Sequence, residues 1–208
     1  FNTIKYENKK ILNLGVNINE LNIVKNETDI VNIGIIGRFQ DIKNQLFGLE
    51  VFENIYKKHN NIQLFFIGDT AFTEHSKEYK NKVVNKVNKS NITNIFFVGN
   101  KETDTIFDNI DIVFVSSKYE SFGMVVIEAL TNGIICLAPN IGGPKEIMTD
   151  KLEDYLYMPD DVRVTSKKLI SIVSNLSSAK EIFNKNKIFY KEKYDIKNTA
   201  KTLLGCKN

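Results

Sequence analysis

Short runs rich in β-branched and aromatic residues recur between stretches of helical period, and this alternation limits the fold more than any other feature of the chain. The runs are Val31 to Gly37, Ile62 to Gly68, Asn94 to Gly99, Asp111 to Ser116 and Ile134 to Ala138, with a shorter one around Tyr155 to Met158. They are largely apolar throughout rather than on alternate residues, as in strands buried on both faces. Helical spacing fills the gaps: Asn44 to Lys58, where Leu46, Leu49, Phe52, Ile55 and Tyr56 share a face, then His75 to Asn88, Thr103 to Phe107, Gly123 to Thr131 and Pro144 to Met148. Beyond Asp160 the pattern is helical, over Val164 to Leu176, Ala179 to Lys191 and Ile196 to Leu204. The order predicts an α/β fold, a parallel sheet covered by helices on both faces and closed by C-terminal helices.

Open parallel sheets bind ligands at the carboxyl ends of their strands. The loop leaving the run at Ile110 to Val115 is Tyr119-Glu-Ser-Phe-Gly-Met-Val-Val-Ile-Glu-Ala-Leu130, which sets Glu120 and Glu128 around a Phe-Gly turn that opens a helix. A helix starting near Gly123 leaves the backbone N–H groups of Phe122 to Val125 free to receive phosphate or sugar oxygens. Glu128 then stands about a turn further in, where its carboxylate can accept from two vicinal hydroxyls. Two glutamates eight apart also arise by chance in a chain that is 25% charged, and the pair alone favours that reading.

A second loop changes the balance. Gly37-Arg38-Phe39 and Lys43-Asn44 fall between the first run and the first helix, so Arg38 and Lys43 share one strand-to-helix connection. An Arg fork and a Lys point charge together can clamp a diphosphate and offset the charge that develops as it leaves. With 28 Lys and Arg in the chain, either cation alone would be an ordinary surface residue.

These motifs resemble the donor-binding half of retaining glycosyltransferases, specifically glycosyltransferase family 4, the group 1 glycosyl transferases with the two-domain GT-B fold. The landmarks agree in order from about Asn32 to Met148. They are Gly-Arg-Phe with Lys43, the strand Leu64 to Asp69, the strand Ile95 to Gly99, Ser117 to Glu128, and Gly142-Gly143-Pro144-Lys145-Glu146-Ile147. The resemblance implies a Rossmann-like domain, one half of a GT-B fold. It implies that Arg38 and Lys43, beside Gly37, hold the donor diphosphate and that Glu128 holds the ribose hydroxyls. Glu120 is then the catalytic residue near the donor sugar, tied to retention of configuration. Ser121, Phe122, Gly123, Met124 and Val125 form the loop that meets sugar and phosphate. Two departures stand out: Ser116-Ser117 where the family often has Pro-Ser, and Lys145 inside the Gly-Gly-Pro segment.

The chain's 208 residues and 42% hydrophobic content suit one globular domain. It starts at Phe1 without Met, and Leu12 to Asn17 resembles the end of the family's first domain. It is therefore expected to be an excised C-terminal half, with residues 1–28 as interdomain linker or edge structure, residues 29–208 as the donor domain, and the N-terminal acceptor domain absent. Such a half is expected to bind donor and transfer little or nothing by itself.

Other classes fit less well. Net charge of +3 with dispersed Lys makes nucleic acid a weak hypothesis. Lys77 to Lys89 could touch anionic lipid, although a solvated face is the commoner meaning of such a helix. No run reaches the length of a membrane span and no signal peptide is visible, so a cytoplasmic domain is expected, with peripheral membrane contact in the full protein. Cys136 and Cys206 are expected to be free thiols, and His59 and His75 surface residues. No cofactor or metal is expected, because no Asp-x-Asp occurs and cations take a metal's place.

The expected activity is transfer of a hexosyl unit from an NDP-sugar, a UDP-sugar rather than a GDP-sugar, to a glycan or lipid-linked acceptor in bacterial surface polysaccharide synthesis. A GT-B-type sugar-nucleotide epimerase and a non-catalytic nucleotide-binding domain remain as alternatives. A dinucleotide-dependent oxidoreductase ranks last, since Gly34 to Gly37 supplies only Gly-x-x-Gly. Base choice is expected to rest on backbone near residues 98–100.

Overall fold

The computed structural model describes residues 15–17, 29–102 and 105–204. Six strands form one parallel sheet: β1 (Val31–Ile36), β2 (Ile62–Ile67), β3 (Ile95–Gly99), β4 (Ile112–Phe114), β5 (Ile135–Pro139) and β6 (Leu156–Tyr157). Their spatial order is β3-β2-β1-β4-β5-β6. Ile33, Ile112, Ile135, Leu64 and Leu137 are fully buried, which is why the central strands are apolar on both faces.

The helices are α1 (Gln45–Tyr56), α2 (Glu74–Lys89), α3 (Met124–Thr131), α4 (Gly143–Ile147), α5 (Val162–Ser174), α6 (Leu176–Tyr194) and α7 (Ile196–Leu203). Right-handed crossovers put α1 and α2 on one face and α3 and α4 on the other, because the chain runs outward from β1 to β3, returns to place β4 beside β1, and then runs outward to β6 on the other side. α5 then packs on α1 and α6 on α3, so the closing helices cover both layers. Local chemistry starts several of them. The Thr73, Asp161 and Asp195 side chains accept from the N–H groups of Ser76, Val164 and Lys197 at 3.3, 2.9 and 2.8 Å.

One expected helix does not form. The described part of Thr103 to Phe107 is a succession of turns, with Asp108 N–H donating to Thr105 O and Ile110 N–H to Phe107 O. Asn109 stands in the left-handed region at φ 61°, and a single buried aromatic, Phe107, anchors the segment. One turn with one anchor is too short to offset helix nucleation.

Most of the segment expected to be a linker, residues 1–28, lies outside the described residues, as does Cys206. Its described part, residues 15–17, joins the junction between α6 and α7. Val16 is buried and bridges Asp195, with Val16 N–H donating to Tyr194 O at 2.8 Å and Ile196 N–H to Val16 O at 3.0 Å. Cys136 is buried in β5, and burial pushes its thiol pKa up, so it packs as an inert small apolar group. Among the described residues no helix is long and apolar enough to cross a membrane.

Candidate functional site

The sheet order places a topological switch point between β1 and β4. Chains leaving these neighbours depart in opposite directions, which opens a crevice at their carboxyl ends. The loop after β1 carries Arg38 and Lys43, and the loop after β4 carries Ser117 and Glu120. Residues 77 apart in sequence therefore meet: Lys43 Nζ donates to Glu120 Oε2 at 2.6 Å. The Ser117 hydroxyl donates to the same oxygen at 3.2 Å.

Backbone contacts hold the two loops in place. Asp41–Lys43 makes a 3-10 turn, and the Ser116 hydroxyl donates to Lys43 O at 2.8 Å while Lys118 N–H donates to Ile42 O at 2.9 Å. Gln45 Nε2 donates to Arg38 O at 2.8 Å. The Lys43 stem passes over Gly37, with its Cδ 3.7 Å from where a glycine Cβ would stand. The Tyr79 hydroxyl accepts from Leu46 N–H at 3.2 Å and so occupies the start of α1. The charge at this loop is therefore carried by side chains, with part of the helix end already satisfied.

A third loop, after β5, locks against the second. Gly143 N–H donates to Glu120 O at 2.8 Å. A Cβ on Gly142 would stand 2.3 Å from Glu120 O, and one on Gly143 would stand 2.0 Å from Phe122 O. Neither position can carry a side chain without moving the Glu120 loop. Tyr119 extends over this turn, 3.5 Å from the Gly142 Cβ position.

The remaining expected residues divide by role. Gly123 caps α3 at φ 86°, and the first intrahelical bond is Ile127 N–H to Gly123 O. The N–H groups of Met124, Val125 and Val126 thus have no helical acceptor, and Gly123 has no side chain to cap them. Phe122 and Val125 pack against the core and can contribute backbone only, whereas Ser121 and Met124 are exposed. Arg38 is exposed, and its guanidinium has no partner among the described residues. Glu128 is half-buried one turn into α3, its carboxylate without a hydrogen-bond partner among the described residues, and burial raises its pKa. Gly99 O is already taken by Gly68 N–H at 2.7 Å, so a base read from backbone near residues 98–100 would have to use other groups there.

His75 pairs with Asp41 of the first loop and not with an expected site residue. His75 Nε2 lies 2.5 Å from Asp41 Oδ2 with both side chains largely exposed. A cavity of about 430 Å³ bordered by Lys151, Tyr155, Lys168, Asn175 and Ser178 contains none of the expected site residues. The sequence pattern did not single out Ser116, Gln45 or Tyr79 as supports, nor Gly142 and Gly143 as the wall behind Glu120. The signal for the glycines was present in the adjacent Gly-Gly, but its partner loop could not be read from it.

Comparison with known proteins gives a consistent picture. The family model described as glycosyl transferases group 1 matches residues 17–194. Protein CapJ of Staphylococcus aureus is 32% identical over 149 residues, covering 68% of this chain and 34% of CapJ. Among solved structures, S. aureus TarM in complex with Fondaparinux, alpha-GlcNAc-glycerol and UDP superposes with a TM-score of 0.79 at 22% identity, over 96% of this chain and 40% of that one. Anabaena HepE in complex with UDP and glucose superposes with a TM-score of 0.77 at 16% identity, over 85% and 48% respectively. At these identities the structural likeness establishes the fold. The chain spans less than half the length of each of these proteins.

Proposed function

From the premise that the chain belongs to the glycosyl transferases group 1 family, we propose that it is the nucleotide-sugar-binding domain of a retaining glycosyltransferase. The full protein would transfer a hexosyl unit from an NDP-sugar to a glycan or lipid-linked acceptor in surface polysaccharide synthesis. The observation that carries this reading is the meeting of Lys43 and Glu120 at the β1/β4 switch point, 2.6 Å apart. A cation for a leaving diphosphate and a carboxylate for a sugar stand at the one crevice where this topology binds ligands.

In this reading Lys43 and Arg38 receive the diphosphate as the bond from the anomeric carbon to its oxygen breaks. The free N–H groups at the start of α3 add fixed positive potential that needs no reorganisation. Glu128 accepts from the ribose hydroxyls, and its partly buried carboxylate, with no hydrogen-bond partner among the described residues, suits an acceptor for such a ligand. Glu120 faces the donor sugar once Lys43 turns to the phosphates. UDP is the preferred nucleotide, a choice supported by its presence in the TarM and HepE complexes. Relatives in sequence include CapJ and, at 26% identity, a protein in the cps region of Klebsiella pneumoniae, which supports a role in surface glycans.

The test is calorimetric titration of the chain with UDP, GDP and ADP beside Arg38→Ala and Glu128→Ala. One nucleotide should bind the wild type and lose affinity in both variants. Absence of binding by all three at millimolar concentration would refute the donor-domain reading.

A further inference from the structure

The Glu120 carboxylate is held from two sides, by donors of different character. Lys43 contributes a flexible cation whose side chain is 28% exposed, and Ser117 contributes a hydroxyl on a residue that is 2% exposed. Both reach the same oxygen, Oε2, at 2.6 and 3.2 Å. If Lys43 serves the diphosphate, as proposed above, it must leave Glu120 when the donor arrives. Glu120 would then lose its stronger partner at the step when its position matters most. Its side chain is only 16% exposed, so water replaces the lost donor poorly.

Ser117 cannot follow Lys43. It sits directly after β4, buried beside Ser116, whose own hydroxyl is committed to Lys43 O. Its backbone is fixed by the sheet on one side and by the Lys118 N–H bond to Ile42 O on the other. We propose that Ser117 is a positioning residue: its hydroxyl keeps Glu120 in place while Lys43 moves from the carboxylate to the donor diphosphate. No bond is made or broken by Ser117 itself; it acts only through Glu120. The proposal rests on the donor-domain reading and adds a residue whose role that reading leaves undefined.

The consequence is a thermodynamic coupling that plain packing would not produce. Without the hydroxyl, the nucleotide-bound state has a partly buried carboxylate with neither the Lys43 nor the Ser117 donor, whereas the nucleotide-free state still has Lys43. Ser117→Ala should therefore weaken UDP binding, by about three- to tenfold, and only while Glu120 is present. The measurement is a double-mutant cycle by calorimetry on the 208-residue chain, using UDP with wild type, Ser117→Ala, Glu120→Ala and the double variant, with a melting curve for each.

Support consists of a loss in Ser117→Ala that disappears in the Glu120→Ala background, the same loss in the near-isosteric weak donor Ser117→Cys, and recovery in Ser117→Thr. An equal loss in both backgrounds would show that Ser117 touches the nucleotide or merely maintains the fold, and would overturn the proposal. So would an unchanged affinity in Ser117→Ala. A wild type that binds no UDP, GDP or ADP would instead bring down the donor-domain reading and this role with it, an outcome distinct from the other two.

Discussion

Lys43 Nζ and Glu120 Oε2 lie 2.6 Å apart, joining the loop after β1 to the loop after β4. The two groups proposed for opposite ends of the donor, diphosphate and sugar, are thus each other's partners. Under the proposed function the carboxylate occupies on Lys43 the place that a phosphate oxygen would take, so nucleotide binding would be an exchange of anions at one cation. Such an exchange would cost less than exposing a bare ammonium and a bare carboxylate together, since Lys43 gains a new anion as it loses the old and Glu120 keeps the Ser117 hydroxyl.

Lys43→Ala should weaken UDP binding by at least tenfold, since a charge-assisted hydrogen bond contributes about 1.5–3 kcal/mol. Lys43→Arg should recover part of the loss, because the charge returns with a different reach over Gly37. Isothermal titration of the three proteins checks both statements.

Glu120→Gln should have the opposite effect on nucleotide. It removes the anion that competes for Lys43, so UDP should bind two- to fivefold more tightly (about 0.4–1 kcal/mol). Transfer by the full-length protein should nevertheless collapse. A variant that binds UDP more weakly would disprove the exchange.

Gly142→Ala and Gly143→Ala should each destabilise the domain by about 1–3 kcal/mol, as overpacking of a closed site does. The added Cβ atoms would stand 2.3 Å from Glu120 O and 2.0 Å from Phe122 O, and backbone is what must move. UDP affinity should fall with the melting temperature. Exposed Lys145→Ala on the same helix should change neither, which isolates the effect to the glycine wall.

Burial raises the Glu128 pKa above the 4.5 usual for a glutamate. The native state therefore holds that proton more tightly than the unfolded chain does. For this group stability is greatest below about pH 4.5 and declines as pH rises through the folded pKa, after which the native state carries the full desolvation cost. Glu128→Gln removes the cost, so it should melt higher than wild type at pH 7, with the gap closing toward pH 4. The same substitution should weaken nucleotide binding, a gain in stability at the expense of function. Paired melting curves across this pH range and a UDP titration at pH 7 provide the check.

Much of the architecture was legible because it is encoded locally. Ile33, Leu64, Ile112 and Ile135 announce buried strands by their immediate neighbours, and Gly123 announces a helix start by following Phe122 and preceding the apolar run Met124 to Ile127. Where local evidence was thin, the reading failed: one anchor, Phe107, and a short apolar stretch suggested a helix where Asn109 turns the chain into the next strand. The candidate residues Arg38, Lys43 and Glu120 were legible as loop residues after strands, and Glu128 as part of the helix that follows. Their partnerships were not.

Periodicity and turn chemistry act over a few residues, and a linear chain displays them directly: the strands, most of the helices and the loops that bear charge. Contacts across 77 residues depend on which strands become neighbours. Only the order β3-β2-β1-β4-β5-β6 brings the ends of β1 and β4 side by side. That order sets Lys43 on Glu120, places the Ser117 hydroxyl behind it, and presses Gly142 and Gly143 against its backbone. Those relationships arise from the burial of two sheet faces at once, a collective demand on the whole chain that no single segment expresses.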